Sequence, residues 1–312
     1  MGTEFQVFLV GDDPDYLSDV AHDALDEVER IEARLSHYRP DSEISDLNLP
    51  AAYEPVLMER SIFDLIRRCV AYSEISDGAF DVTAGPLIRC WGFFRGTGRL
   101  AEREALQEAR ERVGYRLLQL DAEERTVRFA REGVQVHLGG VGKGYAVDVV
   151  VEGLRRLGIE AALIHGGTST VYALGAPPGE DAWTVGLCDP GDRGKRLGVV
   201  KLRDRALSTS GDYEQFFEVE GRRYSHILDP RTGQPARGTR SATVVAKSAT
   251  DTDALSTAAF VLGAEGVSAL LESYPDLGVI LAPDAAENDS AEVVVLGDVE
   301  FVPGGGSPTL EE

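Results

Sequence analysis

Lysine is scarce in this chain of 312 residues: it occurs only as Lys143, Lys195, Lys201 and Lys247, so arginine carries nearly all of the positive charge. Acidic residues outnumber basic ones by 53 to 31, and the formal net charge is −22. A nucleic-acid-binding protein needs a basic surface, and we find no stretch basic enough to provide one. We therefore expect no nucleic-acid partner. An acidic protein that binds an anionic substrate must neutralise it locally, and a divalent cation is one means of doing so.

Cysteine and long apolar runs are also scarce. Cys69, Cys90 and Cys188 have no C-x-x-C spacing and no neighbouring histidine cluster, which argues against a zinc site and predicts buried free thiols. No apolar run reaches 18 residues, so we expect no transmembrane helix. The first residues lack the basic start and apolar block of a signal peptide. The chain as supplied is therefore predicted to be cytoplasmic, or periplasmic or membrane-anchored if an export signal has been removed.

Helical and strand patterns are mixed along the chain, without an internal repeat or a long linker. This mixture predicts an α+β fold with mixed or antiparallel sheets and flanking helices, in one domain over 1–302 with either one core or two interlocked lobes. The Gly- and Pro-containing tail, 303–312, is predicted to be disordered. Helices are predicted at 16–36, 57–76, 100–112, 139–157 and, as a pair, 252–273. Strands are predicted at 4–10, 115–120, 125–130, 134–138, 161–165, 170–174, 182–187, 198–203, 206–209, 213–219, 222–228, 241–247, 277–282 and 291–296.

A glycine-rich segment around Lys143 (LGGVGKGYAVD, 138–148) precedes one of these helices. Glycines allow the backbone to approach a ligand closely, and the N-terminus of the following helix favours an anion. The spacing is not that of a P-loop. A tight turn between strand and helix is the structural alternative, but a rare lysine at this position favours an anion site.

Asp253 and Thr257 lie one turn apart near the start of a predicted helix, so both side chains face the same side. Hard oxygen ligands in this arrangement suit Mg²⁺. The alternative is a helix start enriched in polar residues for capping, with Thr250 or Asp251 as the cap.

A third polar segment runs from Tyr224 to Ala236 (YSHILDPRTGQPA) and follows a predicted hairpin. His226, at the end of a strand, is a candidate general base. The following 229–233 also read as an ordinary turn. Thr209 and its neighbours offer hydroxyls for phosphate, while Tyr38 and Phe80 are candidates for stacking on a planar ring, although core packing is equally expected of Phe80.

Taken in order, these segments resemble the ApbE family of FAD:protein FMN transferases. The resemblance rests on 1–3, 36–48, 78–93, 138–148, 209–213, 224–235 and 253–263, and their joint order and spacing are more specific than any one of them. It implies the two interlocked, T-fold-like lobes of that family. It also implies a Mg²⁺-dependent enzyme that moves FMN from FAD onto a threonine of a client flavoprotein and releases AMP.

The resemblance also implies roles for individual residues. Asp253 would be catalytic as a metal ligand, together with Thr257 and the carbonyl of Gly140, and His226 would be the base. Two segments depart from the common pattern: His137 stands where an aspartate contacts FAD, and 165–168 (HGGT) replaces a more usual asparagine-containing run. In addition, Ser256 stands where some members have a second aspartate as a metal ligand. The residues expected to contact FAD are Met1, Tyr38, Ala79, Phe80, Asp81, His137, Lys143 and Ile227.

Three other functions remain open at this point. The same site would serve an FAD pyrophosphatase that produces FMN and AMP, with water in place of the acceptor. The departures at His137 and Ser256 are consistent with a catalytically inactive FAD-binding protein. The glycine-rich segment, taken alone, is also consistent with an unrelated nucleotide-binding module.

Overall fold

The computed structural model describes residues 3–94, 96–284 and 292–304. The helices are α1 (Pro14–Leu35), α2 (Glu43–Asn48), α3 (Arg60–Ile75), α4 (Gly85–Cys90), α5 (Arg103–Arg110), α6 (Gly142–Arg156), α7 (Ala249–Gly266) and α8 (Ser268–Ser273), with a 3₁₀ turn at Tyr115–Leu117. The strands are β1 (Phe5–Val10), β2 (Val56–Leu57), β3 (Leu118–Asp121), β4 (Thr126–Phe129), β5 (Ala161–Gly166), β6 (Thr170–Leu174), β7 (Trp183–Cys188), β8 (Arg196–Leu202), β9 (Arg205–Gly211), β10 (Phe216–Val219), β11 (Arg222–Ser225), β12 (Leu228–Asp229), β13 (Gln234–Pro235), β14 (Thr239–Ala246), β15 (Gly278–Pro283), β16 (Val294–Gly297) and β17 (Phe301–Pro303).

A seven-stranded sheet, in the order β1-β5-β6-β9-β14-β15-β16, forms the centre of the molecule. Every neighbouring pair of its strands is antiparallel. Two three-stranded sheets, β17-β8-β7 and β2-β4-β3, and the hairpins β10-β11 and β12-β13 complete the strands. The prediction of an α+β fold with antiparallel sheets and flanking helices is confirmed; the division into one core or two lobes stays a prediction.

The central sheet is covered on both faces. Successive side chains of a strand point to opposite faces, and in β6 Tyr172 and Leu174 pack with α1 and α6 whereas Val171 and Ala173 pack with β7 and β8. All five residues of β6 are buried. Helices α1 and α6 therefore lie on one side of the central sheet, and the three-stranded sheet β17-β8-β7 lies on the other.

The long helices follow the predicted apolar spacing. Helix α1 buries Val20, Ala24 and Val28 along one face, and the side chain of Asp13 accepts a hydrogen bond from the Tyr16 backbone N–H at 3.1 Å to cap its start. Helix α7 is enclosed on nearly all sides, because most of its residues from Ala249 to Phe260 are buried. The small side chains of Ala254, Ala258 and Ala259 allow neighbouring elements to pack closely around this helix.

Several local predictions are wrong. Residues 134–138 are extended but belong to no strand, because the Val136 N–H bonds the Asn48 side chain and the His137 N–H bonds the Val82 carbonyl instead of a strand partner. Residues 36–48, which the polar sequence predicts to be a loop, contain α2, and no helix was predicted at the position of α4. Strand β17 includes Pro303, so the predicted tail does not start there; residues 305–312 lie outside the described part of the chain.

The three thiols differ in exposure. Cys69 is buried, Cys90 is half-buried and Cys188 is exposed, so the expectation of buried thiols is wrong for Cys188. Among the described residues, no helix combines the length and the apolar composition needed to cross a bilayer.

Candidate active site

A cleft of about 360 Å³ lies where the glycine-rich loop, the start of α7 and the segment after β11 meet. Residues from distant parts of the sequence therefore share one cavity. Met1 lies outside the described residues. The other residues singled out from the sequence all line the cleft: Tyr38, Ala79, Phe80, Asp81, His137, Gly140, Lys143, His226, Ile227, Asp253 and Thr257.

The glycine-rich loop brings both backbone and a helix N-terminus to the cleft. Gly139 and Gly140 line the cavity, and α6 begins two residues later. The residue that precedes α6, Val141, provides no side-chain cap, so the first N–H groups of the helix need other partners. This arrangement presents the positive end of the α6 dipole beside the cavity.

Asp253 joins α7 to the start of α6. Its side chain is buried, and Oδ1 accepts a hydrogen bond from Lys143 Nζ at 3.0 Å while Oδ2 accepts one from the Gly144 N–H at 3.0 Å. A buried carboxylate needs such partners to remain charged. Both oxygens of Asp253 are consequently held in a fixed orientation at the wall of the cleft.

Asp148 makes the complementary connection from α6 to α7. Its carboxylate accepts hydrogen bonds from the N–H groups of Ala249 and Thr250 at 2.7 and 2.9 Å, and from the Ser248 hydroxyl at 2.6 Å. Ser248 is the N-cap residue and accepts from the Asp251 N–H, so the expectation that Thr250 or Asp251 is the cap is wrong. Each helix therefore supplies a carboxylate that caps the first turn of the other.

The contact between these helices leaves no room for a side chain at Gly144. A Cβ there would overlap the Ala249 carbonyl oxygen and lie 2.8 Å from Asp253 Cβ. We expect Gly144→Ala to destabilise the protein by about 1–3 kcal/mol, because the helices must separate. The midpoint of urea unfolding measures this change.

Gly153, on the same helix, provides the matched control. A Cβ at Gly153 meets no atom within 4 Å, so Gly153→Ala should be neutral or stabilising by up to about 1 kcal/mol. Equal stability of the Gly144→Ala and wild-type proteins would contradict the close approach of α6 and α7.

Hydroxyl groups from β9 and α7 meet beside Asp253. The hydroxyl of Ser210 lies 3.0 Å from that of Ser256 and 3.3 Å from that of Thr257. Ser256 also donates to the Asp253 carbonyl at 3.0 Å, so its hydroxyl is engaged inside the protein. Ser210 lines the cleft as well, which the sequence indicated only as part of a run of hydroxyl residues.

The oxygen atoms gathered here fit Mg²⁺. The Asp253 carboxylate, the Thr257 hydroxyl and the Gly140 backbone border the same cavity, and a Cβ on Gly140 would lie 3.6 Å from Thr257 Oγ1. Among the described residues, no three His, Cys, Asp or Glu side chains form a metal cluster. Mg²⁺ commonly takes one or two protein carboxylates and fills its remaining positions with phosphate and water. A single carboxylate with neutral oxygens matches that mode of binding.

His226 follows β11 and is oriented by one carbonyl group. Both its backbone N–H and its Nδ1 lie within hydrogen-bond distance of the Gln215 carbonyl oxygen, at 2.9 and 3.0 Å. A carbonyl only accepts, so Nδ1 carries the proton of the neutral ring and Nε2 keeps its lone pair. Burial, and to a smaller extent the charge of Lys143, lowers the pKa of His226 below its ordinary value. The ring is therefore neutral and able to take a proton at neutral pH.

His137 is a neutral ring in the cleft wall. Its Nδ1 accepts a hydrogen bond from the Gly139 N–H at 3.2 Å, and its ring centroid lies 3.7 Å from that of His37. Burial lowers the pKa of His137 to about 4. At this departure from the family pattern the chain thus presents an uncharged group, stacked on a second histidine that the sequence analysis did not identify.

Asp81 and Phe80 combine structural contacts with a place in the cleft. The Asp81 carboxylate accepts from the Thr83 N–H at 2.8 Å and the Tyr115 N–H at 2.6 Å, while burial raises its pKa despite these bonds. Phe80 is 4% exposed and contacts the Tyr72 ring edge-on, so the expected core packing is present. Tyr38, by contrast, is 45% exposed, and its ring contacts those of His37 and Phe94.

This chain is similar to known proteins over most of its length. The ApbE family model matches residues 1–281. A protein of Treponema pallidum named FAD:protein FMN transferase is 36% identical over 293 residues, which are 88% of this chain and 81% of the relative. The crystal structure of an ApbE protein from Thermotoga maritima is 32% identical with a TM-score of 0.82, over 90% of this chain and 91% of that one. The flavin transferase ApbE of Vibrio cholerae is 28% identical with a TM-score of 0.83, over 96% and 95%.

Proposed function

This chain belongs to the ApbE family, and from that premise we propose that it is a Mg²⁺-dependent FAD:protein FMN transferase. It would move FMN from FAD onto a threonine of a client flavoprotein and release AMP. The observation that carries the proposal is the joint presence of Lys143, Asp253, Thr257 and His226 in one cleft.

The reaction exchanges the phosphoanhydride bond of FAD for a phosphoester bond to threonine. The threonine hydroxyl oxygen forms a bond to the phosphorus of the FMN half, and the bond from that phosphorus to the bridging oxygen breaks, so AMP leaves with that oxygen. His226 Nε2 takes the hydroxyl proton, which is the role of a general base. The lone pair on Nε2, fixed by the Nδ1 contact with the Gln215 carbonyl, supports this assignment.

Charge develops on the phosphoryl oxygens during this exchange. Lys143 provides a positive charge, and the positive end of the α6 dipole lies next to it. Mg²⁺, held by Asp253, Thr257 and the Gly140 carbonyl, would supply further charge neutralisation at the diphosphate. These residues would thus hold the diphosphate of FAD in position for attack by the acceptor threonine.

Tyr38, Ala79, Phe80, Asp81, His137 and Ile227 would hold the remainder of FAD. The exposed ring of Tyr38 suits stacking on a planar group. The neutral His137 contributes no charge to the cleft, in contrast to an aspartate. We expect binding of FAD to survive this difference, with a changed affinity.

Lys143→Ala should weaken FAD binding more than it slows the chemical step. Lys143 is the only lysine that lines the cleft among the described residues, and a charge-assisted contact with phosphate contributes about 1.5–3 kcal/mol. We expect the Kd for FAD to rise about 10-fold or more, measured by flavin fluorescence. Lys201→Ala, on the exposed side of β8, is the control. An unchanged Kd in Lys143→Ala would mean that Lys143 only partners Asp253.

The proposal is tested by incubating the protein with FAD, Mg²⁺ and a purified flavoprotein domain that bears an acceptor threonine. Covalent flavin on that domain, with one AMP released per flavin, supports transfer. AMP released at the same rate without any acceptor would indicate an FAD pyrophosphatase. FAD that is bound but remains intact in excess Mg²⁺, with and without acceptor, would indicate an inactive FAD-binding protein.

A further inference from the structure

One segment of this acidic chain has more basic than acidic residues. Residues 89–116 contain seven arginines and four acidic residues, whereas the whole chain has a net charge of −22. The local excess is too small for a nucleic-acid surface, which needs many phosphate contacts. It makes this stretch positively charged in a chain that is negatively charged as a whole.

Two of these seven arginines, Arg110 and Arg116, line a concave surface beside the cleft, with a volume of about 1030 Å³. Asp81 and Pro230 line both cavities, so the two adjoin. We call this surface the arginine groove; it is defined by Arg110, Arg116, Arg131 and Arg231, all of them exposed.

Two of these arginines already have anionic partners. Arg131 lies 3.1 Å from the Glu111 carboxylate, and Arg231 lies 2.9 Å from that of Asp229. The remaining acidic groups of the groove are Asp81, which is buried, and Asp77, which faces Arg231.

Arg110 and Arg116 are different. Arg110 donates to the Arg231 carbonyl at 3.2 Å, and the guanidinium of Arg116 lies 4.7 Å from the centre of the Tyr115 ring. Within the described part of the chain, neither makes an ion pair. Both therefore present an uncompensated positive charge to solvent at the edge of the proposed active site.

We propose that the arginine groove is the docking surface of the client, and that the client presents an acidic face around its acceptor threonine. This inference rests on the proposed function, because a protein acceptor must cover the rim of the cleft for its hydroxyl to reach the FMN phosphorus. An acidic face would be attracted to the groove and repelled by the remainder of the surface. Such complementarity orients the encounter and raises the association rate more than the final affinity.

The first experiment measures binding alone. Two fluorescently labelled 20-residue peptides are compared, identical except that one has glutamate wherever the other has glutamine. We expect the glutamate peptide to bind at least about tenfold more tightly in low salt, with the difference decreasing sharply by 0.5 M salt. Arg110→Glu with Arg116→Glu should abolish this preference.

A matched control is Arg156→Glu with Arg203→Glu. Both residues are exposed, neither lines the cleft or the groove, and the total charge changes by the same amount. This control should bind the glutamate peptide as the wild type does. Equal binding of the two peptides, or equal losses in both double variants, would overturn the proposal. The proposal would also be overturned if the wild type bound phosphatidylserine vesicles, the groove variant did not, and the wild type showed no preference between the two peptides. The groove would then be assigned to a membrane surface.

The second experiment uses the acceptor domain from the transfer assay. The groove variant should raise the KM for that domain about tenfold in low salt, while the Kd for FAD and kcat at saturating acceptor remain unchanged. An unchanged KM with normal transfer rejects the groove but leaves the enzyme assignment intact. Absence of transfer by the wild type rejects the proposed function, and the peptide result then stands by itself.

Discussion

Asp253→Ala is expected to reduce FMN transfer by at least roughly 10³-fold, because electrostatic stabilisation by a metal at a phosphoryl centre is worth several kcal/mol. The substitution removes the only carboxylate of the proposed metal set. It also leaves Lys143 Nζ and the Gly144 N–H without the partner that each has at 3.0 Å. The rate is measured as covalent flavin formed at saturating FAD, over a titration of Mg²⁺.

Asp251 offers a control on the same helix. It accepts hydrogen bonds from Arg68 and Tyr72 and does not line the cleft. Asp251→Asn should lower the midpoint of urea unfolding but leave the Mg²⁺ dependence of the rate as it is. Asp253→Asn, which keeps the shape of the side chain, should be nearly as slow as Asp253→Ala. A wild-type rate in either Asp253 variant would show that the metal ligand lies elsewhere.

His226→Asn should slow transfer by roughly 10²–10⁴-fold, the range typical of a general base. Asparagine can still donate to the Gln215 carbonyl but has no basic nitrogen in place of Nε2. Fluorescence titration should give an unchanged Kd for FAD. His22→Asn, on the exposed side of α1, is the control and should have no effect on the rate.

The pH dependence follows from the direction of the His226 pKa shift. Burial lowers this pKa, so the neutral form, which is the proposed base, persists below the ordinary histidine value of 6.5. The rate should therefore be flat from pH 8 to pH 6.5 and fall only at lower pH, and His226→Asn should lose this acid limb. A limb that persists unchanged in the variant would assign it to another group.

The free energy of unfolding, like the rate, should decrease at low pH. The unfolded chain takes up a proton on His137 and His226 near pH 6.5, whereas the folded chain resists protonation, and the pKa of His137 falls to about 4. Between these values the unfolded state binds more protons. The free energy of unfolding therefore decreases as the pH falls through this window.

The long elements were predictable because their apolar periods extend over many residues. Helix α1 follows such a period, and burial alternates from residue to residue along β5. Helix α2 has only two buried apolar residues, Ile44 and Leu47, which is too few to distinguish a short helix from a loop. Residues 134–138 alternate as a strand does, but their partners are a side chain and a loop carbonyl, which no pattern within the segment indicates.

The site was predictable for a different reason. The rarity of lysine drew attention to Lys143, and the helical spacing of Asp253 and Thr257 placed both on one face. The group that orients His226 was not predictable, because the Gln215 carbonyl reaches it only through the register of the β10-β11 hairpin. The hydrogen bond from the N-cap residue Ser248 to Asp148 was not predictable either, because it depends on how two helices that are distant in sequence pack together.

The mutual capping of α6 and α7, in which a carboxylate of each helix binds the first turn of the other, has a consequence for local unfolding. Neither helix can fray at its start without releasing an acidic group that belongs to the other, so the two first turns should form one cooperative unit. Their amide protons would exchange with solvent together and slowly, even where each turn lies near the surface. The proposed Mg²⁺ site would then be either fully assembled or absent, without a half-formed intermediate.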